Sequence, residues 1–138
     1  MGRSGYTDDC ENLGLYRAAV DRATRGKRGQ AFLHEMLAAL DAMPVKELVA
    51  GEVVRDETHV CAIGSVAVAR KLDVSKLDAT DGDAVGEAFG IARALACEIA
   101  FENDDDFAFH RQETDADRWK RMRSWVVAHI TPTPTGRT

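Results

Sequence analysis

The sequence contains no apolar run that approaches the ~20 residues required by a membrane-spanning helix. Its opening segment, MGRSGYTDDCEN (residues 1–12), has no apolar stretch, so we expect no secretory signal. Cysteine is also scarce, because the three thiols of Cys10, Cys61 and Cys97 are odd in number and widely spaced. This pattern argues against a disulfide framework and against a paired-cysteine metal site, and it favours a reducing cytoplasm.

The composition is that of an ordinary globular protein. The chain has 138 residues, of which 45% are hydrophobic and 30% are charged, a size that suits one domain with a single core. Helical periodicity predicts a mainly α fold of about five helices in one compact domain over 12–130, with a small β-hairpin near 48–60. The turn-type segment 1–11 and the low-complexity segment TPTPTGRT (131–138) predict a flexible N-terminus and a disordered tail.

The first elements follow from apolar residues at helical spacing. From Gln30 onward, such residues fall at i, i+1, i+4, i+5 and i+8, which is one stripe of an α-helix. In the segment before it, Leu15 is expected to face inward. In order, the patterns predict a helix over 13–24 with Gly26 as its C-cap, a turn at 27–29, and a helix from 30 that Pro44 ends.

Three further helices are predicted from the same periodicity. The first contains Gly64 and Ser65, which would allow another backbone to approach closely. The last begins with Thr114 three residues before Asp117, the spacing of a helix capping pair. The predictions are a helix over 61–72, a helix over 83–103 with Thr80 and Asp83 as its capping pair and Ala88 facing inward, and a last helix from 114 with Trp119, Met122, Val126 and Ile130 on its apolar stripe.

No arrangement of residues typical of catalysis stands out. RGKRGQAF (25–32) places its glycines too close together for a phosphate loop, so a structural corner between two helices is the favoured interpretation. His34 and Glu35 would need a second histidine at position 38 to hold zinc, and that position is alanine. Cys61 lies in an apolar run, where a thiol behaves as a small hydrophobic group. We therefore expect no enzyme, no metal and no cofactor.

Negative charge is concentrated between Glu98 and Asp117, where eight acids face one cation, Arg111. Three consecutive aspartates seldom share a metal ion, because neighbouring carboxylates point in different directions. A solvated loop is the structural interpretation, but the phenylalanines among these acids exceed what a solvated connection needs. An anionic contact surface is therefore the favoured functional interpretation. The residues predicted to form this acidic surface are Glu102, Asp104, Asp105, Asp106, Phe107 and Phe109.

A second candidate surface is basic and lies at the predicted corner between the first two helices. Such a cluster could contact a phosphate backbone, although the net charge of −5 disfavours nonspecific binding of nucleic acid. RWKRMRSW (118–125) also mixes cations with tryptophan, but helical spacing places Trp119 in the core with Arg121 and Arg123 outside. The residues predicted for nucleic-acid contact are Arg17, Arg22, Arg25, Lys27 and Arg28.

Four segments, SGYTDDCEN, RGKRGQAFLHEMLAALDAMP, HVCAIGSVAVAR and FGIARALACEIAFEND, follow one another in the chain. Together they resemble a recurring family of small proteins encoded in tailed phages and prophages, and the resemblance spans about 4–130. It implies a phage setting and the cytoplasm of a bacterial host. It brings no activity and no catalytic residues with it.

The leading hypothesis is a non-enzymatic phage accessory protein that binds a host or phage protein complex through the acidic surface. Inhibition of a host anti-phage defence complex, for example one of CRISPR type, is one form that this would take, by analogy with other small phage proteins. The alternative is a nucleic-acid-binding accessory factor that uses the basic cluster at 17–28. No membrane partner is expected.

Overall fold

The computed structural model describes residues 10–50, 52–56, 59–78, 81–105 and 113–131, and side chains outside 10–14 and 105. These residues form a mainly helical fold with a small antiparallel hairpin, which confirms the predicted fold class. None of the described helices is long and apolar enough to cross a membrane. The elements are α1 (Cys10–Arg25), α2 (Lys27–Ala42), β1 (Val54–Asp56), β2 (His59–Val60), α3 (Ala62–Arg70), α4 (Gly82–Phe89), α5 (Arg93–Ala100), a π-helical turn (Phe101–Asp105) and α6 (Asp115–His129).

The corner between α1 and α2 is tighter than the sequence predicted. The predicted turn at 27–29 is wrong, because these residues already belong to α2. The single residue Gly26 makes the bend, and its φ of −68° makes it the N-cap of α2 and not a left-handed C-cap. Gly29 is required beside it, because a Cβ there would lie 1.9 Å from the carbonyl oxygen of Ala23. The first turn of α2 therefore packs directly on the last turn of α1.

The buried face of α1 also differs from the prediction. Leu15 was expected to face inward, but it is 62% exposed, whereas the adjacent Tyr16 is fully buried. The hydroxyl of Tyr16 donates a 2.7 Å hydrogen bond to Oε1 of Glu98 in α5. An aromatic side chain buries a large apolar area, and a buried hydroxyl needs a partner. Both conditions are met when Tyr16, rather than Leu15, faces the core.

The predicted helix over 83–103 is interrupted. Gly90 has a φ of +75°, a conformation that glycine adopts at little cost, and it ends α4 as a C-cap. The start of α4 is capped by Asp81, whose carboxylate accepts a hydrogen bond from the backbone N–H of Ala84. The predicted Thr80–Asp83 capping pair is therefore wrong, and Ala88 is exposed and does not face inward.

The hairpin and the start of α3 pack closely, as predicted for Gly64. A Cβ on Gly64 would lie 1.9 Å from the carbonyl oxygen of Val53, just before β1. In the hairpin, Val54 pairs with Val60, and Leu48 forms a separate bridge to Val60 from the other side. Gly64, in the first turn of α3, thus allows the hairpin to pack closely against this helix.

The predicted start and stripe of α6 are confirmed. The side chain of Thr114 accepts a 3.0 Å hydrogen bond from the backbone N–H of Asp117. Met122 and Val126 are fully buried in the hydrophobic core, and the partly buried Trp119 and Ile130 pack against the same cluster of core residues. The predicted apolar stripe of α2 is buried in that cluster too, except for the half-buried Leu37.

Replacement of Gly64 by alanine should destabilise the fold strongly, because the added methyl group would meet a backbone carbonyl that cannot move aside cheaply. We expect a loss near the upper end of ~1–3 kcal/mol in the free energy of unfolding, the range for overpacked cores. Ala69→Ser, exposed on the same helix, is the control and should stay within about 0.5 kcal/mol of the parent. Urea unfolding checks both, and parent-like stability of Gly64→Ala would contradict the packing described.

Candidate nucleic-acid interface

The predicted acidic surface is only partly covered by the described residues. Glu102 and Asp104 lie in the π-helical turn and are half-buried, and only the backbone of Asp105 is described. Asp106, Phe107 and Phe109 lie outside the described residues. The structure therefore describes the two ends of the acidic segment, 102–105 and 113.

One guanidinium group holds both ends. Arg121 of α6 donates to the two carboxylate oxygens of Glu113 over 2.6 and 3.0 Å. The same side chain donates over 2.6 Å to the backbone carbonyl of Glu102. A longer contact of 3.5 Å joins it to the carbonyl of Asn103. The prediction that Arg121 points outward is therefore wrong, because its planar fork matches a carboxylate and a carbonyl at once.

Arg118 adds a second cation on the inner side of the same segment. Its Nη1 donates to the backbone carbonyl of Leu48 over 2.9 Å and to Oδ1 of Asp115 over 2.8 Å. Its Nε lies 3.5 Å from the carboxylate of Glu113, close enough for attraction but without a hydrogen bond. The Glu113 side chain is only 5% exposed. Part of the acidity of this segment is thus neutralised inside the fold.

Asn103 is a structural residue that the sequence analysis missed. It is buried, its Nδ2 donates to the carbonyl of Val49 over 2.9 Å, and its Oδ1 accepts from the backbone N–H of Ala62 over 3.1 Å. Sequence reasoning treated it only as the end of an apolar helix. A polar amide that follows directly on such a helix was the available signal, because buried amides require partners.

The five predicted basic residues are all exposed. Arg25 forms a 3.2 Å ion pair with Asp21, one turn earlier on α1. Among the described residues, the other four cations have no ion-pair partner. At about 100° per residue, Arg17, Arg22 and Arg25 fall within an arc of roughly 140° on α1, opposite the buried Tyr16. We call this surface the basic face: Arg17, Arg22, Arg25, Lys27 and Arg28.

The start of α2 strengthens the positive potential of the basic face. Gly26 provides no side-chain cap, and the first turn of α2 contains no acidic residue. Lys27 and Arg28 stand there instead, although the helix dipole favours negative charge at this end. The two exposed cations therefore add to the positive end of the helix dipole, and this combination attracts anions.

Both tryptophans of α6 have partners within the fold. Nε1 of Trp119 donates to the carbonyl of Leu40 over 3.1 Å, and the ring packs against the core. Trp125 stacks on His129 with 4.3 Å between the ring centroids. The core interpretation of Trp119 is confirmed.

Cys61 is buried and occupies a structural position. Burial raises the pKa of its thiol to about 12, so the nucleophilic thiolate is scarce near neutral pH. The thiol acts instead as the N-cap of α3, accepting from the N–H of Gly64 over 3.4 Å. His59 contacts Asp56 through Nδ1 at 2.8 Å, on the exposed hairpin. Among the described residues, no group of acids, histidines and cysteines is arranged to hold a metal ion.

No protein-family model, curated protein or solved structure matches the chain. We therefore infer function from the surfaces of the protein. Two of them differ in kind. The acidic segment has its ends paired to α6, whereas the five cations of the basic face are exposed and form one ion pair with the rest of the described chain.

Arg121→Gln should destabilise the fold much more than Arg123→Gln. The first change leaves the buried carboxylate of Glu113 without its main partner, a loss of about 3–5 kcal/mol for a broken buried pair. Arg123 pairs with Asp41 on the exposed side of α6, so its loss should be small. Thermal and urea unfolding of both variants provide the measurement. Equal losses in the two would show that the Arg121 contacts do not hold the segment.

Proposed function

We propose that the chain is a non-enzymatic phage accessory protein that binds nucleic acid through the basic face. The observation that carries the proposal is the set of exposed cations around a helix start without a side-chain cap, of which one has an ion-pair partner within the described part of the chain. Contacts from arginine and lysine to phosphate oxygens supply most of the sequence-independent affinity in such complexes. The phage setting rests on the resemblance of the sequence.

The distribution of charge supports this surface despite the net charge of −5. Glu113 and Asp115 pair with arginines of α6, and Glu98 accepts a hydrogen bond from Tyr16. On the basic face itself the described acid is Asp21, which engages Arg25. An approaching nucleic-acid strand would therefore meet a locally positive surface. Acids farther away than the Debye length of ~8 Å are largely screened by salt.

Arg22→Gln combined with Arg28→Gln should weaken nucleic-acid binding and lower its salt dependence. For a single strand, the slope of log K against log salt concentration should fall by about 0.7 for each phosphate contact removed. Fluorescence anisotropy with a labelled oligonucleotide, in single- and double-stranded form, measures both quantities.

The matched control is Lys76→Gln with Lys120→Gln, because both lysines are exposed and the net charge changes equally. It should bind almost as the parent does. Equal weakening by the two pairs would mean that overall charge, and not the basic face, determines binding. Absence of binding at low salt would remove the nucleic-acid proposal.

Inhibition of a host defence complex through the acidic segment is the second candidate function. It is favoured by the contacts of Arg121, which hold the chain at Glu102 and at Glu113. The intervening sequence contains Asp106, Phe107 and Phe109, and one side chain fixes the chain on both sides of it. Fixed ends reduce the conformational entropy that a segment loses on binding.

Phe107→Ser combined with Phe109→Ser separates a contact surface from a solvated connection. If the segment binds a protein complex, capture of that complex from nuclease-treated host lysate should be lost while the melting temperature stays unchanged. Buried aromatics at interfaces typically contribute about 2 kcal/mol or more each. Leu15→Ser, exposed on α1, is a hydrophobic-to-polar control. Unchanged capture by the double variant would remove this candidate.

A further inference from the structure

A cavity of about 510 Å³ opens where α1, α5 and the end of α6 meet. Its volume lies in the range of sites for small organic ligands, roughly 300–1,000 Å³. Residues of the basic face form part of its rim, so the cavity and that face are continuous. The walls that matter for recognition are formed by Arg17, Val20, Thr24, Glu98, Ala128 and Ile130.

Gln30 connects residues of two cavity walls. Its Nε2 donates to the carbonyl of Thr24 over 2.7 Å and to the carbonyl of His129 over 3.0 Å. Its Oε1 accepts from the backbone N–H of Thr131 over 2.9 Å. One side chain therefore ties the last turn of α1 to the end of α6, and the cavity is formed before any ligand arrives.

The charges in the wall select a ligand with two different polar ends. Arg17 and Glu98 place a cation and an anion in the wall, beside the ion pair of Asp21 and Arg25. Glu98 already accepts from Tyr16, but a carboxylate has room for further donors. The buried hydroxyl of Thr24 has no hydrogen-bond partner among the described residues. Bare phosphate is disfavoured because two carboxylates line the space.

We infer that this cavity receives one nucleotide, with the phosphate at Arg17 and the hydrogen-bond donors of base or sugar directed to Glu98. The apolar side chains of Val20, Ala128 and Ile130 provide a wall for the flat face of the base. A free amino acid also has two polar ends, but it would leave most of the volume unfilled. The inference rests on the proposed function for its ligand class, because the phosphate end coincides with the basic face.

Titration of the full chain with AMP, CMP, GMP and UMP tests the inference, with inorganic phosphate as the reference probe. Calorimetry and amide chemical shifts should show saturable binding of at least one nucleotide and little response to phosphate. Ala128→Trp should weaken that binding at least about tenfold, a change of about 1.4 kcal/mol, because the indole fills the cavity. Val127→Trp is the matched control, since Val127 is exposed next to Ala128 but does not line the cavity.

Arg17→Gln is a second variant that adds no bulk. It should weaken nucleotide binding and leave the melting temperature unchanged. The inference is supported if a nucleotide shifts the amide signals around the cavity in the parent and in Val127→Trp but not in Ala128→Trp. If no nucleotide binds although oligonucleotides do, the cavity assignment falls and the basic face stands. If nucleotides bind and oligonucleotides do not, the cavity stands and the proposed function falls. Equal binding by both tryptophan variants overturns the assignment.

Discussion

The fold depends on the buried amide of Asn103. Its side chain connects the segment before the hairpin, through Val49, with the first residue of α3, Ala62. Its own carbonyl lies beside the guanidinium of Arg121, so α6 is attached at the same point. Backbone groups at a helix start and beside a short hairpin have few partners of their own. A single side chain that satisfies groups from separate segments makes their positions interdependent, and the loss of that amide would leave several buried polar groups unpaired at once.

The difference between the acidic segment and the basic face illustrates why counts of charge along a sequence are a weak guide to a binding surface. Glu113 looks like one more solvated acid, but the fold encloses it between two arginines of α6. Burial of this kind makes the charge structural, because these partners offset its removal from water. The cations of α1 and the start of α2 remain in solvent, with their potential directed outward. The two surfaces differ in whether their charges are exposed to a binding partner, and not in the number of charges.

Local patterns in the sequence were sufficient for the elements whose neighbours lie close along the chain. The apolar stripe of α2 and the Thr114 cap of α6 follow from spacing alone, and both are present. The interruption at Gly90 could not be predicted with confidence from spacing, because a glycine within a helical pattern is often tolerated. The burial of Tyr16 in place of Leu15 depends on Glu98, far along the chain. The cavity is also formed by segments remote in sequence, and no local pattern indicates such a site.

The hydrogen bond from Thr131 to Gln30 has a practical consequence for how the protein is handled. It fixes the point at which the chain leaves α6, and Thr131 itself lines the cavity. Gln30 does not itself line the cavity, but it holds two parts of the chain that do, at Thr24 and at Thr131. A variant made to probe ligand binding should therefore keep Gln30, because its loss would release the cavity wall at Thr131 together with the end of α6.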